Sequence, residues 1–281
     1  MIVSGSESQG LAASLAAELG EDLARVEFER FPDGEQLVTV PPVEGRAIVV
    51  ASTVDDASHV ELLLLQDAVR EAGADHVVTV LPYMGYARQD EAFEPGHPVS
   101  ARAMARAISS GTDEVITVNP HERGILEYFD VDAAAAVDAA PALAAPLPDD
   151  LADPVFLAPD ASAQHLTQSV RDAYGVGAVD YFEKTRHSGS EVEVAPSDVQ
   201  VAGRDVVVVD DIVATGSTMS EAIGCLDAPA SVRVACVHPL LAANARLKLA
   251  NAGVSEIIGT DTIERPVSRV SAAPTLAGWL D

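Results

Sequence analysis

The stretch VVVVDDIVATGSTM, residues 206–219, joins four valines directly to two aspartates and then to a Thr-Gly-Ser-Thr segment. Because the valines show no polar alternation, they predict a strand buried on both faces, as in a parallel sheet covered by helices. Asp210 and Asp211 would then follow the carboxyl end of that strand, where open α/β sheets bind ligands. Two adjacent carboxylates repel each other, so we expect the pair to serve a function.

The residues after the acids have the composition of a phosphate-binding turn. Gly216 allows the backbone to bend close to an anion, and N–H groups and hydroxyls at the start of the next helix can surround a phosphate. The carboxylates suit the hydroxyls of a ribose instead. The stretch therefore predicts a ribose 5-phosphate site, in which Asp210 and Asp211 hold the sugar and the phosphate is held by Ala214, Thr215, Gly216, Ser217 and Thr218. The alternative is a Ser/Thr helix cap beside two solvated acids, whereas a Walker loop is excluded because GxxxxGK[ST] is absent from the sequence.

Six more short apolar runs accompany this strand, with alanine-rich helical patterns between them. The runs lie at 47–52, 76–82, 114–120, 154–160, 231–239 and 255–260, and helical patterns lie at 59–73 and 99–111. This alternation predicts an α/β fold with parallel sheets covered on both sides. A weak internal repeat predicts two similar domains, 1–139 and 140–281. The Ala/Pro/Asp-rich stretch 131–154 is expected at their junction, with a helical conformation for part of it as an alternative. A final helix is expected to pack on the N-terminal domain.

The composition is strongly acidic, since the 281 residues include 44 acids and 17 bases and carry a net charge of −27. Such a charge disfavours nucleic acid and anionic membrane surfaces as partners. Only Lys184 and Lys248 are lysines, and this composition indicates a protein kept soluble in the cytoplasm of a halophile. No signal-peptide pattern and no apolar run of about 18 residues is present, so a cytoplasmic location is expected. Cys225 and Cys236 lack metal-site spacing and are expected to be buried and reduced.

Segment 210–219, DDIVATGSTM, resembles the phosphoribosyl-pyrophosphate loop of type I phosphoribosyltransferases and of ribose-phosphate pyrophosphokinases. Five further segments occur in the order found in the pyrophosphokinases and span nearly the whole chain: FPDGE (31–35), PYMGYARQD (82–90), VNPHERG (118–124), APDASA (158–163) and EKTR (183–186). The resemblance implies two phosphoribosyltransferase-like domains, each a parallel sheet flanked by helices. It also implies transfer of the pyrophosphoryl group of MgATP to O1 of ribose 5-phosphate, which gives 5-phosphoribosyl 1-pyrophosphate and AMP.

Two other functions stay open at this point. A type I phosphoribosyltransferase would share the loop at 210–219 but would need neither FPDGE nor YARQD. A catalytically silent regulatory paralogue would share the whole organisation. Such proteins lose the basic loop or the acid pair, however, and this chain keeps Lys184, Arg186, Asp210 and Asp211.

The resemblance also implies an ATP site and a homo-oligomer. Phe31 corresponds to the residue that stacks on adenine, Asp33 and Glu35 to acceptors for its amino group, and Arg88 and Gln89 to further ATP-binding residues. An arginine suits phosphate because its guanidinium presents a planar fork of donors. Family members donate the FPDGE loop from a neighbouring subunit. The alternatives are a β-turn around Asp33 with Phe31 in the core, and a surface salt bridge for Arg88.

Four more residues match functional positions of the family. His121 and Asp160, each after a predicted strand, match positions that organise Mg²⁺ and the nucleotide, and Lys184 and Arg186 match the start of a mobile catalytic loop. Two cations there would stabilise charge on the transferring group. The alternatives are a loop histidine, a capping aspartate and a surface cation pair. Relatives often have Gly-rich residues where this chain has Ala-Ser-Ala at 161–163, so the details of that subsite stay open.

Overall fold

The computed structural model describes residues 1–188, 191–196 and 199–280, and the side chains of all of these except 184–188 and 191–196. Its backbone divides into two compact units. The first unit comprises Met1–Asp138, Asp261–Glu264 and Ser271–Asp281, and the second comprises Ala139–Thr260 and Arg265–Val270. The chain therefore returns to the first unit after it has formed the second.

A parallel sheet of five strands forms the centre of the first unit, in the order β1-β4-β5-β6-β7. A separate antiparallel hairpin is formed by β2 and β3. The strands are β1 (Ile2–Ser4), β2 (Glu27–Arg30), β3 (Gln36–Thr39), β4 (Gly45–Val50), β5 (Ala74–Leu81), β6 (Glu114–Val118) and β7 (Ala133–Val137). The helices are α1 (Gln9–Leu19), α2 (Asp56–Glu71), α3 (Ser100–Ser109) and a 3-10 helix at Arg123–Tyr128.

Helix α2 shows how local sequence builds this unit. Asp55 and Ser58 form a capping box, in which the Ser58 N–H donates to the Asp55 carboxylate at 2.8 Å and the Asp55 N–H donates to the Ser58 hydroxyl at 2.9 Å. Leu62, Leu65 and Val69 are fully buried on one face of the helix. That face belongs to the same apolar core as the sheet strands.

The second unit contains a sheet of seven strands in the order β10-β9-β8-β11-β12-β13-β14, in which only the β9–β10 pair is antiparallel. The strands are β8 (Val155–Ala158), β9 (Ala178–Ser188), β10 (Glu191–Pro196), β11 (Asp205–Ile212), β12 (Ser231–His238), β13 (Glu256–Thr260) and β14 (Ser268–Val270). The helices are α4 (Gln164–Tyr174), α5 (Ser217–Gly224), α6 (Ala245–Asn251) and 3-10 helices at Ala140–Ala144 and Ala161–Ala163. Helix α7 (Ala273–Leu280) belongs to the first unit, where it contacts α1.

The predicted fold class is confirmed, because both units are parallel sheets with helices and all seven predicted runs form strands. Val206, Val207, Val208 and Val209 are all fully buried. Successive side chains of a strand point to opposite faces, so β11 is covered on both sides as its sequence predicts.

Two sequence interpretations need correction. The stretch 131–154, expected as a junction that is partly helical, contains the 3-10 helix Ala140–Ala144 but also β7, which pairs in parallel with β6 from Ala133 to Val137. Alanine has a low strand propensity, so the pairing comes from the tertiary register with β6 and leaves no local signal. Cys236 is buried as expected. Cys225 is exposed, and it is the C-cap residue of the short helix α5. Among the described residues, no helix is long and apolar enough to cross a membrane.

Candidate active site

Asp160 and Asp210 lie at the carboxyl ends of two adjacent parallel strands of the second unit. Strand β8 pairs with β11 through Val155↔Val206 to Leu157↔Val208, and it pairs with β9 on its other side. After β8 the chain first forms β9 along one edge of β8, and later it forms β11 along the opposite edge. Such a switch point opens a crevice beyond the strand ends, and this is where open α/β sheets bind ligands.

The two adjacent acids at the end of β11 are half-buried and interact with each other. The Asp211 N–H donates to Asp210 Oδ1 at 2.9 Å. Burial raises the pKa of the Asp210 carboxyl well above its ordinary value, and the charge of Asp211, a hydrogen bond between the two side chains and the charge of Asp160 raise that pKa further. Hydroxyl donors or a nearby cation would stabilise the ionised pair, so the site favours a ligand that brings them.

A tight turn carries the segment from the acids to helix α5. Gly216 has φ 67° and is the N-cap of α5, and it has no side chain that could occupy the helix end. The first N–H groups of a helix have no partner within the helix, so they can bind an anion. Thr215 and Thr218 are exposed and Ser217 is half-buried, with 3.3 Å between the Thr215 and Ser217 hydroxyl oxygens. Hydroxyls and N–H groups therefore converge at the predicted phosphate site.

The segment that follows β12 holds this turn in place. The Ala242 N–H donates to the Ala214 carbonyl oxygen at 2.9 Å, and the Leu241 N–H donates to that of Val213 at 2.8 Å. From α6, Lys248 Nζ donates to the Ser217 hydroxyl at 2.6 Å. Sequence reasoning assigned Lys248 no role, although the presence of only two lysines in the chain was a signal that could have drawn attention to it.

Asp160 has the geometry of a cap, as its alternative interpretation predicted. Its Oδ1 accepts the Ser162 N–H at 2.9 Å and also the Ser162 hydroxyl, and it begins the 3-10 helix Ala161–Ala163. Capping does not remove its charge, which acts on Asp210. No group of three or more His, Cys, Asp and Glu side chains within the described part of the chain could hold a metal ion alone.

In the first unit, the FPDGE segment is the exposed turn between β2 and β3. The Gly34 N–H donates to the Phe31 carbonyl oxygen at 2.9 Å, and Gly34 has φ 97°. Asp33 and Glu35 are exposed, and the Phe31 side chain is 38% exposed. The alternative with Phe31 in the core is therefore wrong, although the β-turn itself is present.

The PYMGYARQD segment forms a loop after β5. Tyr86 has φ 63°, its hydroxyl donates to the Asp56 carboxylate, and its ring lies 5.5 Å from the buried His59 ring, centroid to centroid. Arg88 is exposed, whereas the half-buried Gln89 accepts the Ser100 hydroxyl on its Oε1 at 2.6 Å. No pattern in the sequence indicated that His59 supports this loop. Burial lowers the pKa of His59, and the charges of Asp56 and Asp55 partly oppose this shift.

The remaining predicted residues are only partly described. His121 is exposed and follows β6 after Asn119, whose φ is 35°. Lys184 and Arg186 lie on strand β9, paired in backbone register with Val194 and Val192, but their side chains are outside the described part of the structure. The assignments of these three residues stay predictions.

Comparison with known proteins shows that two family models match the chain, one in each half of the sequence. Residues 1–111 match the N-terminal domain of ribose phosphate pyrophosphokinase, and residues 134–269 match the phosphoribosyl transferase domain. The chain is 68% identical to the ribose-phosphate pyrophosphokinase of Halobacterium salinarum, with 100% of each chain covered, and 45% identical to that of Methanopyrus kandleri, with 99% of this chain and 97% of the relative covered. A crystal structure of phosphoribosylpyrophosphate synthetase from Mycobacterium smegmatis matches with a TM-score of 0.83 at 25% identity, over 100% of this chain and 97% of that one.

Proposed function

Because this chain belongs to the ribose-phosphate pyrophosphokinase family, we propose that its second unit binds ribose 5-phosphate at the carboxyl end of β11. The enzyme transfers the pyrophosphoryl group of ATP to ribose 5-phosphate. A bond forms between O1 of the sugar and the β-phosphorus, the bond from the β-phosphorus to the AMP oxygen breaks, and the anomeric hydroxyl loses its proton. The residues supply positioning and charge neutralisation, which dominate catalysis of phosphoryl transfer.

One observation carries the assignment of this site, namely that carboxylates and a phosphate-type turn lie next to each other at the switch point of the sheet. Asp210 and Asp211 accept hydrogen bonds from the ribose hydroxyls. The N–H groups and hydroxyls of Ala214–Thr218 bind the 5-phosphate at the N-terminus of α5. A phosphate on its own would be repelled by the acids, so the arrangement favours a ligand that has hydroxyls at one end and phosphate at the other.

We assign the nucleotide to residues of the first unit. Phe31 stacks on adenine, Asp33 and Glu35 accept hydrogen bonds from its amino group, and Arg88 and Gln89 bind further along the nucleotide. The exposure of Phe31 on a hairpin turn supports this role. Lys184 and Arg186 stabilise charge on the transferring group as the catalytic cations.

Mg²⁺ fits the donor set of this chain. Proteins commonly bind Mg²⁺ through one or two carboxylates plus substrate phosphates rather than in an all-protein cage. The exposed Asp160, whose charge acts on the Asp210 carboxyl, would provide such a partial site, and His121 would act on phosphate or through water. When bound, Mg²⁺ neutralises charge on the polyphosphate.

The exposed β2–β3 hairpin supports a proposal for the quaternary structure of the enzyme. The hairpin exposes Phe28, Phe31 and Leu37, by 38%, 38% and 43%, and burying these side chains against another subunit would remove their apolar surface from water. We propose that this hairpin enters the active site of a neighbouring subunit in a homo-oligomer. Since its substrates are central metabolites, we place the enzyme in the cytoplasm.

The test of the activity is AMP release from MgATP in buffer with molar KCl. The proposal expects AMP only when ribose 5-phosphate is added, with phosphoribosyl pyrophosphate formed in equal amount. No release of AMP, with or without the sugar phosphate, would favour the silent paralogue. Consumption of phosphoribosyl pyrophosphate upon addition of a nucleobase would favour the phosphoribosyltransferase instead.

A further inference from the structure

Lys248 lies beside the predicted phosphate turn, and the function proposed above does not use it. Its Nζ donates a hydrogen bond of 2.6 Å to Ser217 Oγ, and its side chain is half-buried. Helix α6, which carries Lys248, forms one wall of the turn. A Cβ on Gly216 would lie 3.4 Å from the Ala245 carbonyl oxygen and 3.5 Å from the Leu249 side chain. The packing of α6 therefore places Lys248 next to the turn.

We propose that Lys248 is a positioning residue for the 5-phosphate of ribose 5-phosphate and that it acts through Ser217; this inference rests on the proposed function of the turn. A lysine ammonium has only donors, whereas a serine hydroxyl has one donor and two acceptor lone pairs. Because Lys248 occupies a lone pair of Ser217 Oγ, the Ser217 proton must point elsewhere. It can point to the Thr215 hydroxyl oxygen, 3.3 Å away, or to an incoming phosphate oxygen.

Charge supports the same role for Lys248. The chain carries a net charge of −27, and its substrate is an anion. In molar salt the Debye length falls to about 3 Å, so a distant cation on the surface contributes little to the binding of a phosphate. A cation held at hydrogen-bond distance from the turn keeps its effect. Lys248 is one of only two lysines in the sequence, and it lies beside the turn.

A purely structural role makes a different prediction. Lys248 lies in the last turn of α6, where a cation interacts favourably with the carbonyl end of the helix. If this were its only role, its loss would lower the stability of the fold and leave the affinity for ribose 5-phosphate unchanged. Arg246 provides a matched control because it is an exposed cation on the same helix.

Calorimetric titration with ribose 5-phosphate, together with steady-state kinetics in molar KCl, tests the proposal. Lys248→Met should weaken ribose 5-phosphate binding about tenfold to a hundredfold, the range for a lost hydrogen bond to a charged group, with the KM for ATP unchanged. Lys248→Arg should restore most of the affinity, and Arg246→Met should bind like the wild type. Should Lys248→Met fail to fold, Lys248→Gln replaces it in the same comparison.

A double-mutant cycle then tests whether Ser217 mediates the effect. In a Ser217→Ala background, Lys248→Met should weaken binding less than it does in the wild type. Wild-type affinity in Lys248→Met, or an equal rise in the KM values for both substrates, would overturn the inference while the activity stands. A wild-type enzyme that neither binds ribose 5-phosphate nor forms AMP with it would instead overturn the proposed function, and this inference with it.

Discussion

The backbone N–H of Gly85 donates a hydrogen bond of 2.9 Å to the carbonyl oxygen of Thr53. The same N–H also lies 3.0 Å from Thr53 Oγ1. A Cβ on Gly85 would overlap the Thr53 carbonyl oxygen and would lie 3.1 Å from His59 Nε2. The loop that carries Arg88 therefore depends on a backbone approach that only glycine allows.

Gly85→Ala is expected to displace this loop and to raise the KM for ATP. Forcing an extra methyl group into a packed site typically costs about 1–3 kcal/mol, so thermal unfolding should also occur at a lower temperature. The affinity for ribose 5-phosphate should not change, because the proposed site for that substrate lies in the second unit. Steady-state kinetics with each substrate varied in turn, together with calorimetric unfolding, measure these effects.

Gly278→Ala serves as the control for the previous substitution. A Cβ at Gly278, within α7, has nothing within 4 Å. Alanine there should stabilise the fold by about 0.5–1 kcal/mol, because glycine is unfavourable within a helix, and it should leave the kinetics unchanged. An unaltered KM for ATP in Gly85→Ala would contradict a role of the loop in nucleotide binding.

Asp210→Asn is expected to stabilise the fold at neutral pH and to abolish ribose 5-phosphate binding. Burial and the charge of Asp211 raise the pKa of Asp210 in the folded state. The ionised carboxyl therefore destabilises the fold at pH values above the unfolded pKa, and this loss of stability is complete above the folded pKa. Removing the charge should raise the free energy of unfolding by about 0.5–2 kcal/mol, the range of common stabilising substitutions.

The pH dependence of this difference separates charge from other effects of the substitution. At a pH below the ordinary range of carboxyl pKa values, Asp210 is protonated in both states, so the stability gain should vanish. Chemical denaturation at several pH values measures it, with the exposed Asp227→Asn as control. A gain that is the same at low and neutral pH would mean that charge at Asp210 is not its cause.

The fold class could be predicted from the sequence because both sheets depend on uninterrupted apolar runs such as residues 206–209, which can only be buried on both faces. Strand β7 could not be predicted from the sequence, because its alanines form a strand only through their pairing with β6. Within the candidate site, Asp210 and Gly216 are close in sequence, so their geometry is local and predictable. Lys248 and Ser217 are 31 residues apart, and only the packing of α6 beside α5 brings them together. The contact between the His59 and Tyr86 rings also depends on tertiary packing, because the two residues are far apart in the sequence.

Lys184→Ala and Arg186→Ala test the catalytic cations. Each change should lower kcat about 10²–10³-fold, as the loss of one transition-state donor typically does, and should alter the affinity for ribose 5-phosphate far less. Rapid-quench measurement of a single turnover separates this effect from product release. Arg25→Ala is the control, since that side chain is 88% exposed beside Glu27. A Lys184→Ala enzyme with nearly wild-type turnover would exclude Lys184 from the mechanism.

Complementation between inactive variants tests whether the β2–β3 hairpin enters a neighbouring subunit. Phe31→Ala removes the proposed adenine contact, and Lys184→Ala removes a catalytic cation. If the hairpin crosses to a neighbour, a hybrid oligomer contains some sites that combine an intact Phe31 from one subunit with an intact Lys184 from another. Hybrids purified through two different tags should therefore regain ribose 5-phosphate-dependent AMP formation. Hybrids of Lys184→Ala with Arg186→Ala should regain none, because both residues belong to strand β9 of the same subunit. Equal inactivity of both kinds of hybrid would mean that each subunit uses its own hairpin.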